Sequence, residues 1–280
     1  MNKRAVVISM LVVAAIGPSL AQTGTKQKRP LPYEYGQVVI DNFSRKAGRE
    51  PVVFEHWIHR AKFTCRVCHV DLGFAMKAGG TGITAADNAR GKYCGTCHNG
   101  KRVFADGQTA FAACAEEDSK RCDRCHSWGK EVKSDFDFFA FSAPLPKARF
   151  GNGIDWEKAE ALGLIKPVSS LESVGGIFTL SWFLTPQADF EHDWFLTPQA
   201  DSELDPKVVG MPDIVFSHQK HIRWNGCELC HPAALGGVQR GAAPDAMLDS
   251  FHGKDCGRCH STVAFPLTDC RRCHSKPVQF

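Results

Sequence analysis

Past residue 20 the sequence contains no apolar run long enough to cross a bilayer, which argues against a membrane span in the mature chain. It also lacks any block of one charge sign: 34 Lys and Arg stand against 30 Asp and Glu, scattered along 280 residues. That scatter argues against a nucleic-acid partner. Cysteine near the start is missing too, so the N-terminus offers no site for a bacterial lipid anchor. The stretches richest in Cys and His are poor in long periodic apolar segments and cannot bury an adequate aliphatic core by themselves.

What the sequence does contain begins with an address. Asn2, Lys3 and Arg4 precede an apolar run from Ala5 to Gly17, and Ser19-Leu20-Ala21 forms a small-x-small cleavage site. Residues 1–21 therefore read as a secretory signal peptide, with the mature chain starting at Gln22 outside the cytoplasm. Without Lys3 and Arg4 the formal charge falls from +4 to +2.

Thirteen Cys in an exported chain would ordinarily suggest disulfides. Twelve of them fall instead into six copies of C-x-x-C-H, formed by Cys65, Cys68 and His69; Cys94, Cys97 and His98; Cys122, Cys125 and His126; Cys227, Cys230 and His231; Cys256, Cys259 and His260; and Cys270, Cys273 and His274. Two thiols three positions apart can each bond a vinyl group of one haem, and the adjacent His then sits under the iron as proximal ligand. Zinc and multiple disulfides are weaker readings. Zinc does not require His after every second Cys, and disulfides leave the six His unexplained. Six haems, each contributing about −1 net, would bring the charge from +2 to near −4.

The chain repeats itself. A shift of 162 residues superimposes Phe54, His56, His59 and the first two motifs on Phe216, His218, His221 and the fourth and fifth, with 15 of 47 positions identical from Val52 to His98. The third motif breaks register through a 14-residue insertion around Phe104 to Arg121. Each half thus reads F-x-H-x-x-H and then three C-x-x-C-H. Two His at i and i+3 lie about 60° apart around a helix and can reach two different irons.

This arrangement over 51–126 and 211–280 resembles the c(7)-type triheme cytochromes, a branch of the class III cytochromes c. The resemblance implies distal ligands: His56 for the haem of His69, His59 for that of His98, His218 for His231, His221 for His260 and His252 for His274. The first half departs from the pattern, because RGKYCGTCH places Arg90 where HGKDCGRCH places His252. The haem at Cys122 and Cys125 thus has no distal His at the family position. Guanidinium has no lone pair to offer a metal. Met76, in the Gly-rich segment GFAMKAG, is the first candidate for the vacant position, His192 the second, and an open iron the third.

The expected organisation is a signal peptide (1–21), an exposed arm (22–50) with a strand at Gln37 to Ile40, a triheme domain (51–128), a linker without haem motifs (129–210) and a second triheme domain (211–280). The expected fold is mainly irregular with short α-helices and a small two-stranded sheet in each of two tandem class III cytochrome c-like domains. In the linker, Phe136, Phe138, Phe139 and Phe141 read as core packing rather than a haem cover. Asp155 to Ile165 reads as a helix capped by Asp155 and stopped by Pro167, and WFLTPQAD occurs twice, at 182–189 and 194–201. Cys114 is the odd thiol, with no catalytic surroundings. The function implied is electron transfer, not catalysis, by six covalent haems c. Redox proteins, other multihaem cytochromes or an outer-membrane conduit are the expected donors and acceptors, in the periplasm or at the cell exterior. A reductase working at one open haem and a subunit of a conducting filament are the rival readings.

Whole-protein mass spectrometry of material from a host competent in haem attachment should show cleavage after Ala21 and six haem additions. Replacing Cys94 and Cys97 together by Ala should remove one of the six.

Overall fold

In the computed structural model, residues 29–104, 107–113, 119–132, 136–171, 202–204, 211–231 and 247–276 are described. The signal peptide, Cys114, His192 and both WFLTPQAD copies lie outside them.

Each half opens with β-branched residues that favour a pleated pair. β1 (Gln37–Ile40) pairs antiparallel with β2 (Val52–Glu55), with Gln37 opposite Glu55 and Ile40 opposite Val52. The strand expected at Gln37 to Ile40 is therefore present. After long loops and four short helices, α1 (His56–Arg60), α2 (Ala85–Ala89), α3 (Ser119–Asp123) and α4 (Phe138–Ser142), comes α5 (Trp156–Ala161). The second half repeats the opening, with β3 (Ser202–Leu204) antiparallel to β4 (Ile214–Phe216). It continues through α6 (His218–Asn225), α7 (Met247–Phe251) and α8 (Gly257–His260). In both halves the second strand runs straight into the helix that carries H-x-x-H, and the first strand comes from the preceding segment.

α5 is shorter than expected. Asp155 does cap it, its side chain accepting from the Lys158 amide at 3.2 Å. The helix ends at Gly163, not Pro167. Gly163 takes a left-handed φ of 70°, and the amides of Gly163 and Leu164 bond back to the carbonyls of Glu160 and Ala159. That pair of bonds is a Schellman stop, and it acts before the proline is reached.

Residues 31–280 form one compact unit. The apolar core comes mostly from the segment between the haem-motif regions: Phe138, Leu145, Ile154, Trp156, Ala159 and Ile165 bury with Trp57 of α1. Phe138 meets Trp57 edge-on at 5.1 Å, while Phe139 is exposed. Packing thus holds for part of the aromatic stretch only. The same segment touches the second half, where Trp224 packs on the core and its Nε1 donates to Glu160 at 2.8 Å. Arg66 is buried between Asp71 (3.3 Å) and Glu228 (2.6 Å), tying the two halves directly. Exposed pairs such as Lys220–Glu157 add little beside it.

Both halves use one glycine where no side chain fits. A Cβ on Gly95 would lie 1.9 Å from the carbonyl oxygen of Asn88, and one on Gly257 would lie 1.8 Å from that of Ser250. These are repeat-equivalent positions inside C-G-x-C-H. Backbone cannot yield as a flexible side chain would, so Gly257→Ala should destabilise the holoprotein by about 1–3 kcal/mol. Thermal unfolding should show this as a lowered midpoint, and Gly95→Ala should behave alike.

Candidate functional site

α1 presents His56 and His59 toward the cavity while Trp57 enters the core. The His56 and His69 rings are nearly parallel, 12° apart, with centroids separated by 6.5 Å. The His59 and His98 centroids lie 6.2 Å apart, and those of His221 and His260 also 6.2 Å. Two imidazole nitrogens coordinating one metal from opposite sides at about 2.0 Å are about 4 Å apart. Adding roughly 1.1 Å from each nitrogen to its ring centre gives centroids about 6 Å apart. Direct stacking would bring the rings closer. The three observed separations therefore match a metal between each pair.

Hydrogen bonds set the tautomers. His56 Nδ1 donates to the carbonyl of Gly36 (2.6 Å), His69 to Phe74 (2.9 Å), His59 to Glu55 (3.0 Å) and His98 to Phe111 (3.1 Å). His221 bonds Ser217 and His260 bonds Phe265, at 2.8 and 2.9 Å. A proton committed at Nδ1 leaves the Nε2 lone pair for a metal, the arrangement seen where second-shell acceptors orient metal-binding histidines. Burial reinforces it, pushing His56 and His59 down to about 4 and also lowering His69, His98, His221 and His260. These rings are neutral at physiological pH. A phenyl ring supports each H-x-x-H: Phe54 lies 4.3 Å from His59, and Phe216 lies 4.2 Å from His221.

The third site repeats as well. His126 Nδ1 donates to the carbonyl of Glu50 and His274 Nδ1 to that of Pro212, residues 162 apart. The amides of Val53 and Val215, themselves 162 apart, bond the carbonyls of Cys125 and Cys273. The proximal side of this site is thus the same in both halves. Phe111 and Phe265 play one role for His98 and His260, so the 14-residue insertion divides into eight residues before Phe111 and six after it.

The distal side of the third site differs. Arg90 is exposed and paired with Asp87 at 2.8 Å, turned away from any ligand role. His252 follows α7 and is exposed. His218 stands 4.9 Å from Phe216. Met76 lines the same cavity as Cys94 and Cys125. Its loop is closed by a bond from the Ala75 amide to Thr81 Oγ1 and tied by Asn42 to the carbonyl of Gly79. Asn42 belongs to the β1–β2 connection, which also carries Glu50, the partner of His126.

A continuous cavity of 3070 Å³ joins these sites. Ten motif cysteines line it, all but Cys122 and Cys227. It is about three times the upper size of an ordinary small-molecule pocket, which suits several large apolar groups. Burial pushes the Cys68 and Cys259 thiols up to about 12 and those of Cys94 and Cys273 up to about 11. Such thiols are poor nucleophiles at neutral pH, unlike catalytic cysteines. Eleven motif cysteines are free, whereas Cys122 is disulfide-bonded. One sulfur cannot hold both a disulfide and a thioether, so a haem link at Cys122 requires that bond to be reduced first. Among the described residues no three or more His, Cys, Asp and Glu side chains converge on a bare metal ion. Paired histidines, spaced thiols and a large apolar cavity fit haem.

One cavity residue escaped sequence reasoning. The Arg60 guanidinium lies between Trp156 and Trp224, 4.9 and 5.0 Å from their ring centres. It donates through Nη1 to the carbonyl of Val263 at 3.3 Å, but its buried Nε has no acceptor. Each indole face offsets up to roughly 2 kcal/mol of lost hydration. An unmade buried hydrogen bond costs about 1–3 kcal/mol. No periodicity or motif distinguishes Arg60, because its repeat equivalent is Ile222.

The sequence profile described as cytochrome c7 and related cytochrome c matches residues 52–127 and 214–275. Among solved structures, the C-terminal hexahaem fragment of the dodecahaem cytochrome c GSU1996 aligns at 23% identity over 85% of this chain and 96% of that one, with a TM-score of 0.25. The whole dodecahaem protein aligns at 22% over 85% and 73%, with a TM-score of 0.25. Its N-terminal hexahaem fragment aligns at 23% over 85% and 98%, with a TM-score of 0.22. None of the curated proteins compared with the chain matches it.

His56→Ala and His59→Ala should each convert one haem, and a different one, from low to high spin. EPR of the oxidised protein should show one high-spin haem in either single variant and two in the double variant.

Proposed function

Since the chain belongs to the cytochrome c7 and related cytochrome c family through residues 52–127 and 214–275, we propose that it is an exported hexahaem electron carrier of anaerobic or extracellular respiration. It works in the periplasm or at the cell exterior, between redox-protein donors and acceptors such as other multihaem cytochromes or an outer-membrane conduit. The carrying observation is the set of three His pairs with centroids 6.2–6.5 Å apart, each ring held at Nδ1 by a backbone carbonyl. Bound haem supplies one-electron chemistry at its iron. The chain's part would be to hold the group between the facing imidazoles of His56 and His69, His59 and His98, and His221 and His260, and to keep those imidazoles neutral. Histidine on both sides, without the Met that raises potential in Met/His cytochromes, makes low-potential carriers. The remaining distal assignments, His218 for His231 and His252 for His274, rest on the family pattern.

In described regions, no helix is long and apolar enough to cross a membrane. EPR combined with a pyridine haemochrome count tests the proposal in one preparation. Six haems, at least five of them low-spin, are expected; fewer than six, or several high-spin irons, would overturn it.

A second reading concerns the haem at Cys122 and Cys125, and the solvent-facing Arg90 favours it. If nothing fills that distal position, the iron is open to nitrite, hydroxylamine or a soluble metal ion, and the chain has a reductase site. We favour Met76 there, with His192 second. What supports this is that the loop carrying Met76 is tied through Gly79 to the strand connection that also holds Glu50, the acceptor for His126. Met76→Ala should then turn one haem high-spin and remove the highest-potential couple from the redox titration, while His192→Ala changes neither. An unchanged spectrum and titration in Met76→Ala would reject the thioether ligand.

A further inference from the structure

Arg60 is a half-buried cation without a carboxylate partner among the described residues, although the chain pairs the buried Arg66 with both Asp71 and Glu228. Its Nε is buried without an acceptor. Two tryptophan faces and one carbonyl hold the guanidinium in place but bring it no negative charge. Buried arginines are ordinarily paired. The groups around Arg60 supply no anion either. Tyr35 donates its hydroxyl to the carbonyl of Ala264, and burial pushes it up to about 12, so it stays a neutral phenol. Cys65 and Cys259 are the nearby thiols, and Arg272 is a second cation already bonded to Asp155 and Asp269.

Resting on the haem reading above, we propose that Arg60 is a haem-carboxylate receptor: its guanidinium binds a propionate of a haem attached through Cys65 or through Cys259. It thereby pins the two triheme halves to one prosthetic group and raises that haem's reduction potential. The ligand class follows from what is missing. The site needs a carboxylate inside a cavity lined by haem-attaching cysteines, and each haem carries two. The side chain also reaches every part of the junction: it springs from α1 of the first half and stacks on Trp156 of the intervening segment. Its other face meets Trp224 of the second half, where it also bonds Val263. The direction of the potential follows from charge. A fixed cation favours the reduced, less positive iron, and a propionate left unpaired would disfavour it. Arg60 is a positioning residue here and no ligand to iron.

The test uses the full holoprotein in three forms: wild type, Arg60→Met and Arg60→Lys. A pyridine haemochrome count comes first. If wild type lacks six haems, the haem reading fails. If it carries them, the proposal stands on the redox titration. In Arg60→Met one couple should become harder to reduce by about tenfold in its equilibrium constant, a fall of about 59 mV for one electron, while the others stay put. Arg60→Lys keeps the charge and should shift that couple by less than threefold; it decides the matter should the Met variant fail to fold. A lowered thermal midpoint with all six couples unmoved in Arg60→Met would overturn the proposal, leaving Arg60 as a cation–π pin only. So would a tenfold fall in Arg60→Lys as large as that in Arg60→Met. Repeating the titration in the His56→Ala and His221→Ala backgrounds identifies the donor. The shifted couple is the high-spin one in the first if the Cys65 haem supplies the carboxylate, and in the second if the Cys259 haem does.

Discussion

Two imidazoles held about 6 Å apart, lone pairs facing, is an arrangement that apolar packing alone would not produce, because it keeps two flat rings out of contact. In this chain backbone carbonyls do the holding. Gly36, Glu55, Phe74, Phe111, Ser217 and Phe265 each accept from one ring, and each of those carbonyls has a place in the fold that follows from this duty. Gly36 immediately precedes β1, and Glu55 is the last residue of β2. The small sheet therefore acts as a jig for α1. Its four-residue strands are too short to be stable alone, and they persist because both edges of the hairpin are tied to the histidine sites.

The cost of this design is a shortage of ordinary core around the haem motifs. The intervening segment compensates. Phe138, Leu145, Ile154, Trp156 and Ile165 supply an apolar cluster that neither half contains, and Trp57 joins it from the turn between His56 and His59 of α1. A change in that cluster is thus transmitted within one residue to His56 and His59. The buried Arg66 works in the same spirit at the other contact. It takes carboxylates from both halves, and since its repeat equivalent is Glu228, the two first motifs meet through a pair of corresponding positions. Removing one member of such a buried pair is far more costly than losing a surface one.

Much of this was legible in the sequence, for identifiable reasons. C-x-x-C-H and the 162-residue repeat are positional facts, so the six motifs needed no tertiary information; the pairing of His56, His59 and His221 with particular motifs came from the family resemblance, and the ring separations of 6.2–6.5 Å agree with it. β1 was readable from its Val-Val-Ile run, and Asp155 from its capping chemistry. The early end of α5 was not, because Gly163 and Pro167 both signal a stop and only the backbone shows which acts first. The role of the intervening segment was hidden for a different reason. Its apolar residues are spaced for packing against partners far along the chain, so they carry no clean period of their own. Arg60 was invisible for the same cause in sharper form. An arginine acquires meaning from what surrounds it, and its two tryptophans lie 96 and 164 positions away.

The third motif shows where the repeat stops being a guide. Its proximal side is conserved between the halves down to the individual amide, Val53 with Cys125 and Val215 with Cys273. Its distal side is not, since Arg90 replaces His252 and turns to Asp87. A duplicated fold would carry both sides together unless one of them had been released from its original task. Six of the 14 extra residues stand between Phe111 and Cys122 in the chain, and Cys122 is the one motif cysteine drawn into a disulfide. Three departures thus fall on one of the six motifs. Three His pairs share one geometry, and the departures described above gather at the third motif of the first half. If the chain discriminates between partners, or holds one electron differently from the rest, the physical means to do so lie there.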